Sequence, residues 1–333
     1  MSSLAAVTER GAVLLGRSVA CDAFEESRPV RVVTHAHSDH IVGLSQSMRR
    51  CRKILMTKAT RDFIGVIQGP LFLTNGSVET LEYEEPFCYD GERITFFGAD
   101  HILGAAQVLV EDEKGTRFVY TGDFRIDKTP VIEADVLVIE ATYGSPACKR
   151  SFGVDVKAQL VSLVRRGLES GVVYVFGYYG KLHEVMHTLH ESGVDVPFVA
   201  PGKVFHFSKV YEAHGLNLGS PLLSSEAEAL ELLRRRSPCV VFHHMQSKNT
   251  VGLDAFRVNV SGWEFSCPVR QVAEKEYVVA LSDHSDFDGL LEYVRLSKPK
   301  FVITDNFRVS HGEALAKEIS RRLGVSAVAL PRK

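Results

Sequence analysis

Long apolar runs are missing from this 333-residue chain. Stretches such as Gly171–Val175 are strand-sized, far short of the roughly 18 residues that a spanning helix requires, so no transmembrane segment and no membrane partner are expected. Paired cysteines are missing too. Cys21, Cys51, Cys88, Cys148, Cys239 and Cys267 are scattered without a CxxC pair, which argues against a zinc ribbon or a small disulfide scaffold and reads as small buried hydrophobes. Positive charge is not in excess: 39 Lys and Arg face 41 Asp and Glu, for a formal net charge of -2. Coating of nucleic acid or anionic membrane by bulk electrostatics is thereby excluded, and any polyanion must be held locally. The amino terminus has little initial positive charge and only the short apolar stretch Ala12–Leu15, so a cleaved signal peptide is not expected and the chain reads as cytoplasmic.

The residues present, 45% hydrophobic and 24% charged, suffice for a large core or two domains. Short apolar or alternating runs bounded by Gly, Asp and Pro predict strands over Ala12–Leu15, Ser18–Cys21, Val30–Val33, Lys53–Met56 and Arg93–Phe97. Further strands are expected at Phe118–Tyr120, Val136–Ile139 and Val172–Phe176. Helical periodicity covers Lys58–Val66, Asp155–Glu169, Lys181–Glu191 and Ser225–Arg235. After Tyr143 a loop-like stretch leads into a strand, glycine turn and helix within Val172–Leu189. The tail then returns to regular alternation from Tyr277–Leu281 through Ala327–Leu330. The expected class is mixed α/β, without repeats.

The densest chemistry is His35-Ala36-His37-Ser38-Asp39-His40, directly after the strand Val30–Val33. Imidazole and carboxylate are natural zinc ligands, and more donors than one tetrahedral ion requires suggests two metals in one site. Other strand ends supply more: Ala99-Asp100-His101 follows Ile94–Phe97, and Asp123 closes Tyr120-Thr121-Gly122-Asp123. A rival motif, His183-Glu184-Val185-Met186-His187, matches the HExxH of metalloprotease helices. Its apolar stripe of Leu182, Val185, Met186 and Leu189, with His190 extending the histidine face, reads instead as a surface or domain-interface helix. Gly177-Tyr178-Tyr179-Gly180 either offers backbone N–H groups and aromatic faces to a nucleic-acid strand or is a tight turn with core tyrosines. The basic runs Arg49, Arg50, Arg52, Lys53 and Arg234–Arg236 read as solvated faces, with steering of a nucleic-acid backbone as the alternative. His243, His244 and Lys248 lie where a phosphate contact is conceivable.

HAHSDH, the isolated His101 in GADHILGA and Asp123 in YTGDFR resemble the metallo-β-lactamase superfamily. Glu140 in VIEATYG, Ser261-Gly262-Trp263, LSDHSDF around His284 and HGEAL from His311 narrow the resemblance to its β-CASP nuclease branch. FRVNVSGW followed by LSDHSDF is most similar to the DNA cross-link repair and ligase-associated DNA exonuclease groups, with the RNA 3'-end processing endonucleases further away. The resemblance spans nearly the whole chain, its middle segment loosely.

It implies an αββα sandwich from residues 1–143 and 277–333, interrupted by a short α/β β-CASP-like cap at 144–276, with the active site in the cleft between them. It further implies two zinc ions, with replacement by manganese left open: His35, His37 and His101 on one, Asp39 and His40 on the other, and Asp123 bridging. For the last ligand His311, Asp305 and solvent stay open. Asp22 matches the family's early aspartate that orients the first histidines.

Two Zn2+ less the charges of Asp39, Asp123 and a hydroxide leave a small positive residue that suits a phosphodiester. Glu140 and His284 are implied to protonate the leaving oxygen; Asp39 joins them in the catalytic set. The implied activity is hydrolysis of single-stranded DNA or RNA, with an exonuclease favoured. The alternatives are a small-molecule metallo-hydrolase acting on a thioester, lactone or cyclic phosphodiester, and an inactive binding subunit of an RNA-processing complex. Oligomeric state is left open.

Overall fold

Short Val- and Ala-rich segments cut by Gly and Asp form the opening strands, as β-branched residues between turn residues should. In the computed structural model, which describes residues 4–74 and 76–332, these are β1 (Ala5–Val7), β2 (Val13–Leu15), β3 (Val19–Cys21), β4 (Val30–Val32), β5 (Lys53–Met56) and β6 (Val78–Thr80). They form one sheet in chain order, antiparallel from β1 to β3 and parallel from β3 to β6. Parallel neighbours need crossovers, and α1 (Leu44–Arg50) and α2 (Lys58–Gln68) lie in the last two connections.

A meander follows: β7 (Pro86–Tyr89), β8 (Glu92–Gly98), β9 (Ala106–Glu111) and β10 (Arg117–Tyr120), with β11 (Val136–Ile139) parallel to β10. The second unit holds β12 (Val172–Gly177), β13 (Phe198–Ala200), β14 (Leu222–Leu223), β15 (Cys239–His244), β16 (Phe256–Val260), β17 (Val269–Ala273) and β18 (Glu276–Val279). Their order is β14-β13-β15-β12-β16-β18-β17, parallel except for β17. Among them run α3 (Val156–Leu168), α4 (Lys181–Glu191), α5 (Gly202–Ala213) and α6 (Ala227–Arg235). The chain then completes the meander sheet: after α7 (Phe287–Ser297), β19 (Phe301–Asp305) pairs with β11, and after α8 (Gly312–Leu323), β20 (Ser326–Leu330) pairs with β19.

Two units result: Met1–Lys149 with His284–Lys333, and Arg150–Asp283. In the first, Val13, Leu15, Val30 and Val32 of one sheet and Ile94, Val108, Val138 and Ile303 of the other share a single buried cluster. Two sheets therefore face each other across one core, and the mixed α/β class is present. Both unit boundaries lie later than 143 and 276. The 144–149 stretch belongs to the first unit because Gly144 is pressed onto α8, where a Cβ would sit 2.9 Å from the His311 carbonyl oxygen, and because Phe287 N donates to Cys148 O at 3.0 Å. Tyr277–Val279 belongs to the second because β18 lies between β16 and β17. Among the described residues no helix is long and apolar enough to cross a membrane.

α7 docks through Tyr293, which is fully buried, packs on Phe124 at 4.8 Å and donates its hydroxyl to Gln107 Oε1. Gln107 Nε2 donates to the Pro130 carbonyl at 2.8 Å. Tyr293→Phe is expected to lower stability by about 1–2 kcal/mol, because Gln107 Oε1 loses its donor while staying buried. The urea midpoint of the full chain measures it.

Candidate metal centre

The site starts from a strained backbone. Asp22, the residue after β3, has φ +63°, a left-handed conformation that Asp adopts more readily than most residues. It is fully buried. Its Oδ1 accepts from Thr34 N at 2.8 Å, and its Oδ2 accepts from Thr34 Oγ1 at 2.8 Å and from His40 Nδ1 at 2.7 Å. Thr34 Oγ1 lies 3.1 Å from His35 Nδ1. Both ends of the histidine loop are thus fastened to one carboxylate. Arg31 of β4, buried, reinforces it by donating to the His40 carbonyl at 3.0 Å. Burial would push the Asp22 carboxyl up, but the charge and hydrogen bond of His40 overcome this and hold it below the usual range.

Two donor sets result. His37 Nδ1 lies 3.2 Å from His35 Nε2 and 3.0 Å from His101 Nε2. With Asp123 these three bring one ligand atom each within 4.8 Å of one another. A tetrahedral ion with bonds of about 2.0–2.1 Å sets its ligands about 3.3 Å apart, so the spacing fits a metal. On the other side His40 Nε2 lies 3.2 Å from Asp123 Oδ2 and 3.4 Å from Asp39 Oδ2. It is buried and has no hydrogen-bond partner among the described residues, a cost that a bound cation would relieve. Asp123 Oδ2 stands between the sets, 3.6 Å from His35 Nε2 and 3.8 Å from His101 Nε2. Burial, followed by the neighbouring imidazoles, keeps the His35 pKa well below its ordinary value; the neutral imidazole is the ligating form.

The loops that carry these donors are tied together. Arg125 grips Asp100 through Nε at 2.9 Å and Nη2 at 3.0 Å, joining the neighbour of His101 to the strand end that carries Asp123. Gly122, at φ +55°, turns the chain where a Cβ would meet the Ala106 carbonyl oxygen at 3.0 Å. Sequence reasoning missed the Asp100–Arg125 clamp; opposite charges flanking two predicted ligands were its only signal.

His284 Nδ1 lies 3.0 and 3.1 Å from the two Glu140 oxygens. Glu140 is also held by Phe124 N at 3.0 Å and Thr142 N at 3.2 Å. Asp123, Glu140 and His284 form a second convergent group, and the His284 ring is 4.8 Å from that of His101. Ser285 N donates to the Phe124 carbonyl at 2.7 Å, fastening His284 to the Asp123 loop. His311 Nδ1 lies 3.0 Å from the Thr142 carbonyl oxygen, whereas Asp305 is taken up by its own loop through Phe307 N at 2.9 Å and Arg308 Nη1 at 2.5 Å.

The HExxH segment lies on α4 as expected of a surface or domain-interface helix, with His187 part-exposed, but its first histidine does not face solvent. His183 is buried. Its Nδ1 accepts from Gly180 N at 3.2 Å, which leaves Nε2 to donate to the Val204 carbonyl at 3.2 Å. The ring stacks on Tyr211 at 4.6 Å. Both nitrogens are structural, and His187 Nδ1 sits 3.0 Å from the Asn217 carbonyl oxygen.

No family model matches the sequence. The chain is 36% identical over 138 residues, 41% of its own length and 99% of the other, to an uncharacterized protein in lig 3'region of Acidianus ambivalens. It is 24% identical over 390 aligned positions to the RNase J-like protein of Methanocaldococcus jannaschii, covering 94% and 90% of the two chains. To DNA cross-link repair protein SNM1 of Arabidopsis thaliana it is 24% identical, covering 86% and 62%. A crystal structure of a protein of unknown function from Enterococcus faecalis V583 shares the fold, with a TM-score of 0.59 at 15% identity over 91% of this chain and 79% of that one. The RNase J-like and SNM1 relatives are nucleases of the β-CASP branch of the metallo-β-lactamase superfamily, a metal-dependent family.

Burial lowers the His183 pKa from 6.5 to about 4. The unfolded chain therefore takes up this proton before the native state does. Stability is expected to fall as pH drops from about 6.5 toward about 4, by roughly 3 kcal/mol for this group. Urea midpoints of wild type and His183→Gln at pH 7 and pH 5 measure it: the variant, which cannot titrate there, should show the shallower loss.

Proposed function

We propose that this protein is a metal-dependent nuclease that hydrolyses phosphodiester bonds of single-stranded DNA or RNA. The observation that carries the reading is the approach of the Glu140–His284 pair to the donor cluster, with ligand atoms of Asp123, Glu140 and His284 within 4.8 Å of one another. A metal centre alone would suit a small-molecule hydrolase equally; an imidazole held by a carboxylate beside it supplies what an alkoxide leaving group requires. Relatives named for ribonuclease and DNA cross-link repair functions support the same substrate class. In this reading the first unit is an αββα core and the second a β-CASP-like cap.

Two zinc ions, or manganese in their place, suit the donors: His35, His37, His101 and Asp123 for one, and Asp39, His40, Asp123 and His311 for the other. Such ions, when bound, lower the pKa of water and neutralise phosphate charge. If His311 Nδ1 donates to the Thr142 carbonyl, Nε2 is the nitrogen left with a lone pair. Asp22 and Thr34 hold the histidine loop so that its donors need no rearrangement. Glu140 accepts the Nδ1 proton of His284, fixes the tautomer and stabilises the imidazolium, whose Nε2 proton passes to the departing oxygen. Exonucleolytic cleavage is the mode that the sequence resemblance favours.

Metal-loaded protein incubated with 5'- and 3'-labelled DNA and RNA of one sequence should give ladders stepping from one end, absent with Asp123→Ala. Inertness on every strand would overturn the reading. His284→Ala should lower hydrolysis of an ordinary phosphodiester by about 10²–10⁴-fold, but far less that of a diester with a nitrophenolate leaving group. Equal losses on both would remove His284 from the proton-transfer role.

A further inference from the structure

The second unit has a site of its own. In its sheet the order β13-β15-β12-β16 is parallel throughout. The connection leaving β12 passes β15 to reach β13, while that leaving β15 passes β12 to reach β16. The two depart in opposite directions, so the carboxyl ends of β12 and β15 flank a topological switch point, where open α/β sheets bind ligands.

Aromatic rings meet there. Tyr178 and Tyr179 follow β12, and His244 ends β15. Tyr179 stacks on the buried Phe207 at 4.5 Å and 17° and lies 4.7 Å from His244. Tyr178 meets His244 at 5.2 Å with the planes at 83°. That perpendicular contact covers at most one face of Tyr178, which is 53% exposed. Trp263, 58% exposed, follows β16 on the same edge. The rings carry no fixed charge: burial lowers the His244 pKa, and the nearby Lys248 is paired with Glu276 at 2.5 Å. An uncharged aromatic shelf on a rigid base suits a π-face rather than a phosphate.

We propose that Tyr178, backed by Tyr179 and His244, is a stacking site for an unpaired nucleobase of a single-stranded nucleic acid. The proposal rests on the nucleic-acid reading above and adds a binding contact remote in sequence from the metal donors. One base stacked on an aromatic ring is worth about 1–3 kcal/mol, so Tyr178→Ala should weaken binding about tenfold.

The test uses the full chain with chelator, so that no strand is cut, and the anisotropy of labelled oligothymidylate, oligouridylate and an abasic strand of equal length. Expected are a tenfold loss for Tyr178→Ala, recovery with Tyr178→Trp, and no difference between wild type and Tyr178→Ala on the abasic strand. Equal affinity of Tyr178→Ala and wild type for the base-bearing strands, an equal gap on the abasic strand, or no binding by wild type would overturn the stacking site. If metal-loaded wild type cuts neither strand while the base-dependent gap persists, the nuclease reading fails and the stacking site stands.

Discussion

Asp22 accepts three hydrogen bonds while wholly buried, from Thr34 N, Thr34 Oγ1 and His40 Nδ1, and does so from a left-handed backbone that few residues tolerate. A carboxylate without solvent is stable only when its oxygens are engaged, and here the engagement decides where His35 and His40, two of the proposed metal donors, stand. Because Thr34 precedes His35 and His40 closes the loop, one anchor holds the His35 and His40 ends of the run. The strain is repaid by the order it imposes, since loops rather than strands carry the donors and loops are otherwise the mobile parts of a fold.

The same economy appears across the centre. Each donor follows a strand end, and each of those ends is fastened to another: Arg125 to Asp100, Ser285 to the Phe124 carbonyl, Glu140 to Phe124 N. A chain with a net charge of -2 thereby concentrates carboxylates and imidazoles at one place, a donor set that suits a cation. In the proposed reading nucleic acid requires no broadly basic surface, because attraction would be local and metal-borne.

Strand ends and the HAHSDH run were legible because period-two apolar patterning and a rare ligand cluster are local signals. α5 was not: Gly202–Ala213 interleaves His206, Ser208 and Lys209 with Val204, Phe207 and Tyr211, and the apolar face emerges only against its neighbours. β9 was not anticipated either, although Ala106–Val110 is buried throughout. His183 shows the reverse error, since the spacing of an HExxH helix is indifferent to whether its imidazoles face solvent or, as here, a backbone carbonyl and a tyrosine ring. Asp100 and Arg125 carry no motif, and pairing across two loops is set by tertiary proximity alone.

Glu140 and His284 touch although 144 residues separate them, and almost all of that interval is the second unit. Closing so long a loop from an unfolded chain costs about 4 kcal/mol of entropy. A folded insert brings its own ends together beforehand, and the hydrogen bond from Phe287 N to Cys148 O shows that the two junctions adjoin on the first unit. Assembly of the Glu140–His284 pair is thus tied to the folding of a unit that supplies neither partner, so a substitution that unfolds that unit would raise the entropic cost of bringing the pair together.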